Sequence, residues 1–144
     1  MTTPTVDADT SIPECGQCWR RTFPGRADQA GHVRRFVAFL LADHPCTDDA
    51  VQAVAEMAAN AIQHTRSAAP GGLFVVEVRR WRGDCVAVSI TDQGGPSEPR
   101  PAEPDYLAGH GRGLHLIGAT ASSWSWRGGA AGRTVTAVFT PHTA

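Results

Sequence analysis

Apolar residues recur along this chain with two different periods, which predict helices in some segments and strands in others. From Asp28 to Leu41 the apolar side chains have helical spacing, which predicts a first core helix. They are Val33, Phe36, Val37, Leu40 and Leu41. A second helix is expected from Thr47, whose hydroxyl can cap its N-terminus, to about Thr65.

The second predicted helix carries an apolar face and a separate polar ridge. We expect the apolar face to consist of Val51, Val54, Ala55, Ala58 and Ile62. Polar residues recur every four positions along the ridge, at Gln52, Glu56, Asn60 and His64. Side chains four apart are neighbours, so Glu56 and Asn60 present a carboxylate and an amide side by side. The pair suits a general base beside a magnesium ligand, and a solvated polar face is the ordinary alternative.

Period-two segments bounded by glycine and proline predict two hairpins and one earlier strand. The strands are expected at Cys18–Phe23, Leu73–Trp81, Cys85–Thr91, Trp124–Arg127 and Arg133–Thr140. A third helix is expected from Gly113 to about Ala121. Before it, the segment from Ser97 to Gly109 contains prolines without apolar periodicity, which predicts an irregular loop able to act as a lid.

An acidic residue follows the apolar strand that ends near Thr91. Val86, Val88 and Ile90 share one face of that strand, and the same parity places Asp92 on the core side. A carboxylate in apolar surroundings needs a hydrogen-bond donor, and the exocyclic amine of adenine is a suitable one. A turn-forming aspartate before Gly94 and Gly95 is equally compatible with the local sequence.

A glycine-rich turn opens the third predicted helix, with glycines at 109, 111 and 113. Backbone N–H groups at such a turn can approach an anion closely, and Arg112 can add positive charge. The alternative is a structural turn, which glycines before a helix form more often than a phosphate site.

Composition and charge narrow the possible functions. A chain of 144 residues fits one domain, with residues 1–13 expected to be a loose tail and 14–144 a single domain. The net charge of -1 and the absence of a basic stripe argue against a nucleic-acid partner. No lysine is present, which excludes a Walker-type loop and an ordinary protein-kinase site. Without a bilayer-length apolar run or a signal peptide, we expect a cytoplasmic protein with no membrane partner.

The four cysteines include one C-x-x-C pair, Cys15 and Cys18. In a cytosolic chain they are most simply reduced thiols. Half of a metal site or a redox pair is the alternative, although no partner ligands stand at zinc spacing.

Four segments in a fixed order resemble the motifs of the Bergerat-fold (histidine-kinase-like, GHKL) ATPases, and above all those of the small stand-alone bacterial anti-sigma-factor serine/threonine kinases. They are Glu56-x-x-x-Asn60-Ala61, Asp92-x-Gly94, Gly109-x-Gly111-Arg112-Gly113-Leu114 and Gly132-Arg133-Thr134-Val135. The resemblance implies an α/β (α+β) two-layer sandwich, in which helices cover one face of a mixed, mostly antiparallel sheet. ATP and Mg²⁺ would lie between the helical layer and the lid.

The resemblance also implies a role for each matched residue. Glu56 would be the catalytic base and Asn60 the magnesium ligand. Asp92 would bind the adenine amine, Gly94 would leave room for the base, and Thr134 would help close the adenine pocket. The turn from Gly109 to Leu114 would cradle the phosphates.

For partners, the resemblance implies an anti-anti-sigma protein that is phosphorylated on serine or threonine, a sequestered sigma factor, and a homodimer. A non-catalytic ATP-binding or sigma-sequestering regulator stays open as the alternative, because a nucleotide pocket can persist after phosphoryl transfer is lost.

Overall fold

The computed structural model describes residues 16–81, 84–95 and 121–140, which form a sheet with two helices on one face. The strands are β1 (Gln17–Pro24), β2 (Leu73–Trp81), β3 (Cys85–Asp92), β4 (Ser123–Gly129) and β5 (Gly132–Phe139). The helices are α1 (Ala30–Leu40) and α2 (Thr47–His64), and single 3₁₀ turns occupy Ala27–Gln29 and Arg66–Ala68. The five strands and two helices predicted in these segments are therefore confirmed, whereas the predicted lid and all but the end of the third helix fall outside the described residues.

The strands follow the order β1-β2-β3-β5-β4, and each of these four neighbouring pairs is antiparallel. The expected two-layer α+β fold is confirmed, and the antiparallel character extends to every pairing among the described strands. Of the helices in the described ranges, neither is long and apolar enough to cross a membrane.

The core lies between the helices and the inner face of the sheet. Alternate residues of the strands point into it, as strand geometry requires. At one end, Phe23 stacks on Phe74 with ring centroids 5.8 Å apart and meets the edge of Phe36 at 5.9 Å. Aromatic rings paired in this way add directional stabilisation to the apolar area that they bury.

The predicted apolar face of α1 is confirmed, since Val33, Val37 and the following Leu41 are fully buried. The predicted face of α2 is only partly right. Its buried residues are Ala50, Ala53, Val54, Met57, Ala58 and Ala61. Ala55 is only half-buried, as are Val51 and Ile62, which pack at the margin of the core. The small alanines let α2 lie close to both α1 and the sheet, a contact that hydrophobicity alone does not predict.

The predicted capping of α2 by Thr47 is wrong. The helix begins at Thr47 with Cys46 at the cap position, and no side chain accepts a hydrogen bond there. The Thr47 hydroxyl instead donates to the carbonyl oxygen of His44 at 2.6 Å and contacts that of Leu41. It therefore stabilises the turn that joins the two helices.

The outer face of the sheet is polar and carries paired hydroxyls and charges. Ser89 and Thr136 lie 2.9 Å apart between β3 and β5. Glu77 accepts from Arg20 at 2.8 Å and also from Arg79. Partial burial of Glu77 opposes its ionisation, but these two guanidinium groups outweigh that cost and hold its pKa below the usual value.

Candidate functional site

Asp92 ends β3 on the inner face of the sheet, as its parity predicts, and is only 5% exposed. Its Oδ1 atom accepts a hydrogen bond of 2.7 Å from the backbone N–H of Gly94. Burial raises the pKa of the Asp92 carboxyl, although the Gly94 amide and the nearby Arg133 act in the opposite direction. The site therefore holds a buried carboxylate acceptor next to a turn.

Arg133 stands opposite Asp92 in the register of β3 and β5 and is 3% exposed. Its Nε atom lies 3.8 Å from Asp92 Oδ1 and has no hydrogen-bond partner within the described ranges. Arg133 has no role among those that the motif resemblance implies. The alternation of β5 nevertheless indicates that Arg133 points into the core, because it shares its strand parity with the buried Val135 and Ala137.

Gly94 is held in a conformation that a side chain would oppose. Its φ is +79°, and an ideal Cβ there would stand 2.6 Å from the carbonyl carbon of Ala130 and 2.7 Å from the nitrogen of Gly132. Because the turn between β4 and β5 packs against it, position 94 therefore requires glycine. Whether Gly94 also leaves room for a base stays a prediction.

Hydrogen bonds fasten the segment after β3 to the 3₁₀ turn Arg66–Ala68 that follows α2. The backbone N–H of Arg66 donates to the carbonyl of Gly94 at 2.7 Å, and its guanidinium donates to that of Ala130. The N–H of Gln93 donates to the Ser67 hydroxyl at 3.0 Å. These bonds join three separate parts of the chain around Asp92 and hold its carboxylate in place.

Glu56 and Asn60 lie one turn apart on α2, and both are half-buried beside its core face. No hydrogen bond or ion pair links either side chain to another described residue. An ideal Cβ on Gly95 would stand 3.0 Å from the carbonyl oxygen of His64, so the loop after Asp92 meets α2 one turn beyond Asn60. The structure therefore brings the polar ridge of α2 and the buried carboxylate to one side of the sheet.

Thr134 is not brought to Asp92. It lies on the outer face, where its hydroxyl is 2.9 Å from that of Thr91, and its part in an adenine pocket stays a prediction. The turn expected to cradle phosphate, Gly109, Gly111, Arg112, Gly113 and Leu114, lies outside the described residues.

Comparison with known proteins agrees with this fold. A solved structure, the RsbU and RsbW domains of Rv1364c from Mycobacterium tuberculosis, superposes with a TM-score of 0.65 at 23% sequence identity. The match covers 86% of this chain and 32% of that one, so this chain spans about a third of its length. No curated protein matches this sequence. The family model of the histidine kinase-like ATPase domain matches residues 23–139, and the chain therefore belongs to the histidine kinase-like ATPase domain family.

Proposed function

We propose that this protein binds Mg-ATP and acts as a serine/threonine protein kinase on an anti-anti-sigma partner, thereby controlling a sigma factor and transcription. The observation that carries the proposal is the buried carboxylate of Asp92, placed beside the end of the helix that presents Glu56 and Asn60. Membership of an ATPase domain family supports ATP as the nucleotide.

The described residues fit the two ends of such a ligand. Asp92 offers a buried acceptor that suits the amine of adenine. Asn60 offers an amide oxygen, and oxygen atoms are the ligands that Mg²⁺ prefers. For the phosphates we propose the backbone N–H groups of residues 109–114, assisted by Arg112.

Each residue on α2 has a separate proposed task. Bound Mg-ATP supplies the transferable phosphoryl group. Glu56 accepts the proton of the substrate hydroxyl, which general-base catalysis requires within hydrogen-bond reach. Asn60 contributes one oxygen ligand to the magnesium ion, which has few protein ligands in most nucleotide sites.

The proposed partners follow from the kind of protein that the motifs resemble. An anti-anti-sigma protein is the proposed substrate and a sigma factor the proposed sequestered partner, with a homodimer in the cytoplasm as the working form. The structural match to a chain that contains an RsbW domain supports the fold on which this proposal rests.

The test separates a kinase from a binder. Wild type, Glu56→Ala and Asn60→Ala are incubated with radiolabelled ATP and purified anti-anti-sigma proteins of the same genome. Glu56→Ala should keep nucleotide binding and lose phosphoryl transfer by about 10²- to 10⁴-fold, the usual contribution of a general base. Asn60→Ala should weaken both, because the magnesium ion loses a ligand.

Gln52→Ala is the matched control, since Gln52 lies one turn before Glu56 on the same ridge and is exposed. It should leave transfer unchanged. If wild type binds ATP and captures a sigma factor but phosphorylates none of these proteins, the kinase assignment fails and the non-catalytic regulator replaces it.

A further inference from the structure

We infer that Arg133 is a second base-recognising residue, whose Nε–H donates a hydrogen bond to a ring nitrogen of the nucleotide base while Asp92 accepts from the neighbouring amine. The inference rests on the proposed nucleotide binding and adds a residue to it. It assigns a role to the buried guanidinium that the sequence motifs did not single out.

The placement of Arg133 is unusual for an arginine. Its residue exposure is 3%, and arginine is almost never fully buried unless it is well paired. Arg133 forms an ion pair with Asp92, but the 3.8 Å separation of Nε and Oδ1 is beyond hydrogen-bond distance. The Nε–H group is therefore a buried donor that no acceptor in the described ranges satisfies, and an acceptor atom of a ligand can satisfy it.

The rest of the guanidinium lies beside the loop that follows β3. One terminal nitrogen, Nη2, would be 3.7 Å from an ideal Cβ on Gly95, so the side chain extends from Asp92 toward the loop that follows β3. The same loop meets the end of α2 at His64. Arg133 therefore lies where that loop, β5 and the end of α2 come together around Asp92.

Adenine presents the complementary groups side by side. Its exocyclic amine is a donor, and the ring nitrogens N1 and N7 flank it as acceptors. A carboxylate beside an arginine N–H matches this donor and acceptor order on either edge of the base. Hydrogen bonds to a charged group are stronger than neutral ones. A base that hydrogen-bonds both the Asp92 carboxylate and the Arg133 guanidinium is therefore bound more tightly.

A purely structural role for Arg133 predicts different behaviour. In that case Arg133 acts only as the counter-ion that keeps Asp92 ionised, and its removal weakens all adenine nucleotides equally. If Arg133 contacts the base directly, the loss of affinity instead depends on whether the nucleotide carries the ring nitrogen that accepts the hydrogen bond. Analogues that lack one nitrogen distinguish the two roles.

The experiment measures dissociation constants of ATP, 1-deaza-ATP and 7-deaza-ATP by calorimetry for wild type and for Arg133→Met. Wild type should bind one of the two analogues about 10- to 100-fold more weakly than ATP, the effect of losing one hydrogen bond to a charged donor. Arg133→Met should bind ATP and that analogue with equal affinity. The affected analogue identifies N1 or N7 as the acceptor.

Arg127→Met is the matched control, because Arg127 is exposed on the same hairpin and pairs in register with Thr134 on the outer face. It should keep the wild-type preference for ATP. Equal binding of all three nucleotides by wild type overturns the inference even if Arg133→Met does not fold, as does an unchanged analogue preference in a folded Arg133→Met. Absence of ATP binding by wild type would instead refute the proposed function.

Discussion

The backbone of Ala130 occupies the space next to Gly94 that a side chain would need. An ideal Cβ on Gly94 would stand 2.6 Å from the carbonyl carbon of Ala130, and the φ of Gly94 is +79°. The turn between β4 and β5 therefore packs directly on the segment that follows Asp92. This close packing connects the stability of the hairpin with the position of the candidate site.

Gly94→Ala should destabilise the protein by about 3 kcal/mol or more, because a positive φ is unfavourable for alanine and the turn must also move away. Gly71→Ala is the control, since its φ is +77° but no atom lies within 4 Å of the added carbon. Gly71→Ala should destabilise the protein by only about 1–2 kcal/mol, the cost of the positive φ alone. Urea unfolding followed by circular dichroism measures both. Equal losses in the two variants would show that the contact with the turn is unimportant.

Asp92→Asn should abolish most ATP binding while the protein stays folded. The substitution keeps the shape of the side chain. It replaces the charged carboxylate, which accepts from the base amine and faces Arg133, with a neutral amide. We expect at least about a tenfold loss of affinity by calorimetry. Asp84→Asn, at the exposed residue just before β3, should bind ATP as wild type does. Unchanged affinity in Asp92→Asn would refute the assignment of base recognition to this carboxylate.

The affinity for ATP should fall on acidification at a higher pH than an ordinary aspartate would predict. Burial raises the pKa of Asp92, so its carboxylate becomes protonated, and ceases to be an ionised acceptor, at a higher pH than an ordinary aspartate does. Calorimetry of wild type from neutral pH downward should show the dissociation constant rising before ordinary aspartates are protonated. A dissociation constant that stays flat until that pH would contradict the prediction.

The raised pKa of Asp92 also affects the free energy of unfolding, and here acidification has the opposite effect: it increases stability while it lowers the affinity for ATP. Because the folded state holds the Asp92 proton more tightly than the unfolded chain, this group contributes stability that is fully present below its unfolded pKa and lost as pH rises through its folded pKa. Asp92→Asn should therefore remove this component from the pH dependence of the free energy of unfolding. Denaturation across pH 4 to 7, with wild type as reference, measures it.

Glu77 should stabilise the outer face of the sheet at neutral pH. Its pKa is lowered because the guanidinium groups of Arg79 and Arg20 outweigh the effect of burial. The contribution is present above the unfolded pKa and is lost as pH falls through the lower folded value. Glu77→Gln should cost about 1 kcal/mol at pH 7 and lose this difference in acid. If wild type and variant differ equally at pH 7 and pH 3, the ion pairs are not responsible.

The sequence by itself determined the helices and strands of the described ranges and the local placement of three candidate residues. Period-two parity placed Asp92 on the core side, and the structure confirms it. Helical spacing put Glu56 and Asn60 on neighbouring turns of α2. Both properties are local, because side-chain direction repeats every two residues in a strand and every 3.6 in a helix. The misplaced apolar face of α2 shows the limit, since small alanines become buried only when a neighbouring layer requires close approach.

Only the tertiary structure decided that Asp92 faces Arg133 rather than Thr134. Parity within β5 already separates Arg133 from Thr134, but which residue of β5 stands opposite Asp92 depends on the register of two strands distant in sequence. A shift of one residue would reverse the faces, and the buried Val135 and Ala137 prevent it. The register is thus set by burial of the whole strand, so the partner of the site carboxylate follows from packing and not from any motif.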